Sequence, residues 1–126
     1  MLKRNISHYI LWVDGLGALV AGVLILFLNP ILIELYNLSS IVVFLIAFAN
    51  IFYGSYSTFL AQYNERKLAH IVALAVANLS WSLICIIIIY NLNMSIFGTI
   101  HLVVEALWVA ILAVLEFRSR YDLISD

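Results

Sequence analysis

Charged side chains are scarce in this sequence: Asp, Glu, Lys and Arg make up 10% of its 126 residues, whereas hydrophobic residues make up 66%. A soluble domain averages roughly a quarter charged residues and under half apolar ones. So short a chain cannot hide this much apolar surface from water, which excludes an ordinary soluble fold. We therefore expect an integral membrane protein whose main partner is the lipid bilayer.

Other absences exclude further classes of protein. The single cysteine, Cys85, excludes an internal disulfide and any multi-thiolate metal site. A formal net charge of −1 gives no basic face for phosphates, so no nucleic-acid partner is expected. His101 and Glu105 offer two ligands at helical spacing, fewer than a stable zinc site uses. Because phosphate-loop, nucleophile-elbow and metalloprotease motifs are also missing, we expect no enzymatic activity, no metal and no cofactor.

Long apolar runs predict four membrane-spanning helices, each at or above the ~18 residues that mark a spanning candidate. They cover residues 7–28, 40–62, 68–90 and 94–117. Pro30 ends the first run because proline lacks the amide that would continue the helix. Residues 31–36 are too few to cross again and predict a short interfacial helix. The expected fold is a single all-α domain, residues 1–126, with four antiparallel helices in a transmembrane bundle.

The positions of the six Lys and Arg residues predict an orientation. With four spans, they all fall on the side that holds the amino end, the turn at residues 64–67 and the carboxyl end. Short loops rich in Lys and Arg remain in the cytoplasm. We therefore expect a multi-pass protein of the inner membrane with both termini in the cytoplasm.

Polar residues inside the spans are the candidate functional residues, because ionisable groups in a membrane usually mark function. Each span contributes one: Asp14, Asn50, Asn78 and Glu105, with His101 one turn before Glu105. At ~1.5 Å per residue Asn50, Asn78 and Glu105 fall near the bilayer midplane, with Asp14 about a turn toward the cytoplasm and His101 in the outer half. A carboxyl facing lipid costs a few kcal/mol, so these side chains are expected to point inward as one polar layer.

Helical spacing supports this inward direction. In the fourth span the stripe of His101, Glu105 and Trp108 is predicted to face the interior. In the first span Ala18 and Gly22 form a small-xxx-small step, which favours close helix approach.

No Lys or Arg within a span neutralises Asp14 or Glu105. Three arrangements would stabilise these buried carboxyls: protonation, hydrogen bonding to Asn50 and Asn78, or pairing with His101. We hypothesise that at least one of the two carboxyls is neutral at pH 7.

Two roles fit such a layer. One is a relay or binding site for protons, cations or a small molecule. The other is a hydrogen-bonded clamp that fixes the register of the helices. They lead to three hypotheses of function. The first is a small membrane protein of unassigned role. The second is a proton-coupled small-molecule transporter that acts as an oligomer, because four helices enclose little room for cargo. The third is an accessory subunit of a larger membrane complex.

Three short segments carry a resemblance to a known family. They are Asp14-Gly-Leu-Gly-Ala18, Asn78-Leu-Ser-Trp81 and Glu105-Ala-Leu-Trp108. In these, and in its four predicted spans, the chain resembles small, uncharacterised bacterial membrane proteins of the DoxX-like kind. The resemblance implies a fold and a membrane location, and it implies no site residues.

Overall fold

The part of the chain that the structure describes folds into five helices. The computed structural model describes residues 2–63 and 65–124, with the backbone alone for residues 2–8. The helices are α1 (Leu2–Phe27), α2 (Asn29–Tyr36), α3 (Ser40–Gln62), α4 (Leu68–Asn91) and α5 (Ile96–Arg118). By length and hydropathy, α1 (from Tyr9), α3, α4 and α5 are each able to cross a membrane. The predicted all-α bundle of four long helices and one short helix is confirmed, and the chain is a multi-pass membrane protein.

Capping side chains define where two of the long helices begin. The hydroxyl of Ser39 accepts a hydrogen bond from the amide of Val42 at the start of α3. The hydroxyl of Ser95 does the same for the amide of Gly98, so α5 begins two residues later than the sequence predicted. Helix α1 begins at Leu2, earlier than predicted, because its polar start continues the helix beyond the apolar run.

The short helix α2 is tied to the turn between α4 and α5. Asn37 ends α2 in the left-handed conformation, with φ of 54°, which asparagine tolerates better than most residues. Its side-chain amide donates to the carbonyl of Asn93 at 2.9 Å, and the hydroxyl of Ser95 donates to the carbonyl of Leu35 at 2.6 Å. These bonds close one end of the bundle.

The four long helices are arranged in the ring order α1, α3, α4, α5. Helix α1 packs closely along α3, and α4 packs closely along α5. The two pairs meet along two looser seams, one between α3 and α4 and one between α1 and α5. Helices α1 and α4 therefore face each other diagonally, as do α3 and α5.

Three glycines permit the close packing of α1 against α3. A Cβ at Gly54 would lie 2.6 Å from the backbone nitrogen of Leu19 and 2.8 Å from the carbonyl oxygen of Gly15. Gly15 and Gly22 make comparably close approaches to α3. The contact predicted at Ala18 and Gly22 is thus made by Gly15 and Gly22, two turns apart on one face of α1, whereas Ala18 faces the α1/α5 seam.

The segment after α5 closes the opposite end of the bundle. We call this end of the bundle the basic end. Arg66, between α3 and α4, is buried and donates hydrogen bonds to the backbone carbonyls of Leu60, Tyr63 and Leu123. Leu123 is fully buried among apolar side chains of α1, α3 and α4. The turn at residues 64–67 and the segment after α5 therefore share one end, although Asn64 lies outside the described residues.

Candidate functional site

A cavity of about 440 Å³ lies in the seam between α1 and α5. We call it the seam cavity. Four of the five predicted site residues line it: Asp14, Asn50, His101 and Glu105. The remaining wall consists of small or apolar side chains, namely Gly17, Ala18, Ala21, Val104, Trp108 and Val109. The fifth predicted residue, Asn78, lies behind Asp14 rather than in the wall.

The seam cavity opens sideways, toward the surface that would face lipid. Val104 and Trp108 line it, and their side chains are 60% and 48% exposed. The expectation that Trp108 faces the interior is therefore wrong. The buried face of α5 instead runs through Leu102, Ala106 and Val109, which places Trp108 at the rim of the cavity.

Glu105 is held by donors from two other helices, and we call this group the Glu105 cluster. The side-chain amide of Asn50 on α3 donates to Oε1 of Glu105 at 2.9 Å. From α4, the indole N–H of Trp81 and the thiol of Cys85 donate to Oε2, at 3.2 Å and 3.7 Å. Three donors replace part of the hydration that a carboxylate loses on burial. Glu105 is thereby fixed as a hydrogen-bond acceptor at the cavity wall.

Asp14 belongs to a second group, the acid-pair cluster, formed by Asp14, Asn78 and Glu116. The Nδ2 nitrogen of Asn78 donates to Oδ2 of Asp14 at 3.0 Å and to Oε1 of Glu116 at 2.7 Å. All three side chains are almost completely buried. One amide group therefore holds two carboxyl groups together in the interior of the bundle.

Glu116 is a candidate site residue that the sequence analysis missed. Its side chain is 0% exposed, although it lies two residues before the end of α5. A glutamate beside Arg118 is ordinarily expected to reach toward water at the end of a span. The signal that identifies it is the spacing of buried positions on α5, since Glu116 follows Val109 by two helical turns and Leu112 by one.

His101 contacts α2 instead of the carboxyl on its own helix. The hydroxyl of Tyr36 and Nδ1 of His101 are 2.7 Å apart, and the two rings meet edge to face. Burial raises the pKa of Tyr36 above its ordinary value, and the negative charge of Glu105 raises it further. Tyr36 therefore remains a neutral phenol at neutral pH.

The predicted polar layer is thus distributed over two clusters. Asn78 joins α4 to Asp14 on α1, and Asn50 joins α3 to Glu105 on α5, so each amide–carboxyl bond crosses one diagonal of the bundle. Of the three arrangements considered for Asp14 and Glu105, the structure shows hydrogen bonding to the asparagines. Both carboxyls nevertheless still line the seam cavity. The cavity therefore has two acidic groups in a wall that is otherwise largely apolar.

Comparison of the chain with protein-family models, with curated proteins and with solved structures returns no match.

Proposed function

We propose that this protein is a proton-coupled transporter of a small organic cation, with the seam cavity as its binding site. The observation that carries the proposal is that two carboxyls, an amide and an imidazole converge on one cavity whose other walls are apolar. Carboxyl groups in an apolar cavity favour a positively charged ligand, because such a ligand compensates their buried charge. The cavity volume lies within the range usual for small-molecule sites.

The walls of the cavity narrow the class of ligand. Trp108 presents an aromatic surface at the rim, and an alkylated ammonium group binds well against such a surface. Because the cavity opens sideways, a ligand that partitions into the bilayer reaches it without passing through water. A small amine or quaternary ammonium with an apolar substituent fits these conditions.

We further propose that both termini lie in the cytoplasm and that the protein acts as an oligomer in the inner membrane. The shared position of the turn at residues 64–67 and the segment after α5 supports a common side for the basic residues of both. The resemblance to DoxX-like proteins stays a prediction.

Binding of benzyltrimethylammonium to the purified protein in nanodiscs, measured by isothermal titration calorimetry, tests the proposal. We expect saturable binding that Asp14→Asn and Glu105→Gln each weaken at least tenfold. Glu34→Gln removes an exposed acid of α2 and serves as the matched control, with unchanged affinity. Absence of binding to the unaltered chain, or equal binding by Asp14→Asn, would contradict the proposal.

Proteoliposomes test the transport step. A benzyltrimethylammonium gradient should drive proton movement through the unaltered protein and through Glu34→Gln, and Asp14→Asn should abolish it. Binding of the cation without proton movement would contradict proton-coupled transport and leave only the binding site.

A second function, a structural clamp, is favoured by the two amide–carboxyl bonds that cross the diagonals of the bundle. For a clamp, Asp14→Asn and Glu105→Gln lower the melting temperature, and the unaltered chain binds no cation. Calorimetry and thermal unfolding together therefore separate the two functions.

A further inference from the structure

We infer that Asp14 and Glu116 form a proton-binding site behind the seam cavity, in which the two carboxyls share one proton. The existence of this site follows from the geometry of the acid-pair cluster. Its coupling to a ligand rests on the proposed function.

The first observation is the shared donor. Asn78 has two amide hydrogens, and both are used, one on Asp14 and one on Glu116. Oδ2 of Asp14 and Oε1 of Glu116 therefore lie 3.0 Å and 2.7 Å from one nitrogen atom, which places the two carboxyls side by side. A hydrogen bond between two carboxyls requires a proton, because two carboxylates have only acceptor atoms.

The second observation is an unpartnered atom. Oε2 of Glu116 is buried and has no hydrogen-bond partner among the described residues. A buried polar atom without a partner is costly. A proton on the acid pair supplies the missing hydrogen and removes one of two like charges that would otherwise repel at close range.

The surrounding groups leave this proton with the acid pair. From α4 the pair faces the neutral amide of Asn78, and on α5 Glu105 is held by its own donors. At the basic end, Arg66 directs its guanidinium to three backbone carbonyls. The acid pair therefore keeps one proton and one negative charge.

The position of the pair gives the proton a role in the proposed transport. Asp14 lines the seam cavity, whereas Glu116 does not, so the pair connects the cavity to the interior of the bundle. When a cation binds beside Asp14, its charge favours the doubly ionised pair, and the shared proton leaves to bulk water. One bound cation thereby displaces up to one proton.

Infrared spectroscopy of the unaltered protein without ligand tests the site directly. At pH 7 we expect a carbonyl-stretch band of a protonated carboxyl that shifts in D₂O. Selective ¹³C labelling of aspartate and of glutamate carboxyls assigns the band without any substitution. A spectrum without such a band, or a band that neither label moves, would overturn the inference.

Substitutions then assign the band to individual residues. Glu116→Gln and Asp14→Asn should each remove or shift it, whereas Glu105→Gln and Glu34→Gln should leave it unchanged. If the band disappears only in Glu105→Gln, the proton belongs to the Glu105 cluster and the inference is wrong. Because labelling needs no variant, a failure of one substituted chain to fold does not prevent the test.

Proton release separates this inference from the proposed function. In weakly buffered solution, benzyltrimethylammonium should release close to one proton per bound cation from the unaltered protein, and Glu116→Gln should bind the cation but release several-fold fewer protons. Cation binding without the infrared band contradicts the proton site alone, and the band without cation binding contradicts the proposed function alone. Equal release from the unaltered protein and Glu116→Gln would overturn the coupling through this pair.

Discussion

Asn50 donates a 2.9 Å hydrogen bond to Glu105 across the diagonal of the bundle, from α3 to α5. The same amide nitrogen also donates to the carbonyl of Ile46 on its own helix at 2.9 Å, so both of its hydrogens are used. This double use fixes the side chain of Asn50 and, with it, the position of the Glu105 carboxyl at the cavity wall.

Replacing Asn50 should destabilise the bundle measurably. We expect Asn50→Leu to lower the free energy of unfolding by roughly 1–2 kcal/mol, because interhelical hydrogen bonds in membranes are typically worth that or slightly less and the carboxyl of Glu105 loses a donor. Unfolding in SDS measures the change. Asn91→Ala, which removes an exposed amide bonded only within α4, is the control and should change stability little. An Asn50→Leu chain as stable as the original would show that the diagonal bond contributes nothing.

The close packing of α1 on α3 predicts opposite effects of two similar substitutions. Gly54→Ala should cost about 1–3 kcal/mol, because its methyl group meets backbone atoms of α1 that cannot move aside individually. Gly17→Ala is the matched control, since a Cβ there has no neighbour within 4 Å. It should be neutral or stabilising by up to about 1 kcal/mol, because alanine favours the helix more than glycine. Equal effects of the two substitutions in SDS unfolding would contradict the glycine contact.

Arg66 should hold the segment after α5 against the basic end. Arg66→Met leaves the carbonyls of Leu60, Tyr63 and Leu123 without these bonds, and we expect a loss of about 2–3 kcal/mol. The released segment should also be cut faster by trypsin at Arg118 and Arg120. Lys67→Met also removes one positive charge, but from an exposed side chain next to Arg66. It is therefore the control for the loss of charge alone. Unchanged cleavage of Arg66→Met would argue against this role.

Tyr36 should titrate at unusually high pH. Since its pKa in the folded protein is raised above the ordinary value of 10, its contribution to stability is complete below pH 10 and is lost as the pH rises through the higher folded-state value. Ultraviolet difference titration of the unaltered chain against Tyr36→Phe isolates this phenol from the other six tyrosines.

The midpoint of that difference should lie above 10. Tyr90→Phe removes an exposed tyrosine and controls for the loss of one phenol. A midpoint for Tyr36 at or below 10 would contradict the burial of this side chain against the bundle.

Most of the fold could be predicted from the sequence, because membrane-spanning helices need only length and hydropathy. The bounds of α3 followed from its long apolar run, and the existence of α2 followed from Pro30 and the short segment after it. Counting residues along the helices predicted similar depths for Asp14, Asn50, Asn78 and Glu105, and hydrogen bonds join these residues in two pairs. Depth, however, does not specify which helices are diagonal neighbours.

The division of the polar residues into two clusters depends on the ring order α1, α3, α4, α5, which no single span encodes. Glu116 was missed for a related reason. Its proximity to Arg118 in the sequence indicates a helix end exposed to water, whereas the segment after α5 folds back and Glu116 is buried. Only the tertiary arrangement distinguishes these two environments.

The glycine-packed contact of α1 with α3 and the close packing of α4 with α5 divide the bundle into two tightly packed halves. Any opening of the bundle is therefore easier along the two seams than within either pair. The Asn78–Asp14 and Asn50–Glu105 hydrogen bonds both join one half of the bundle to the other, so they hold the two halves together. We expect a change of charge at either acid to alter the strength of its bond, and with it the free energy needed to separate the two halves.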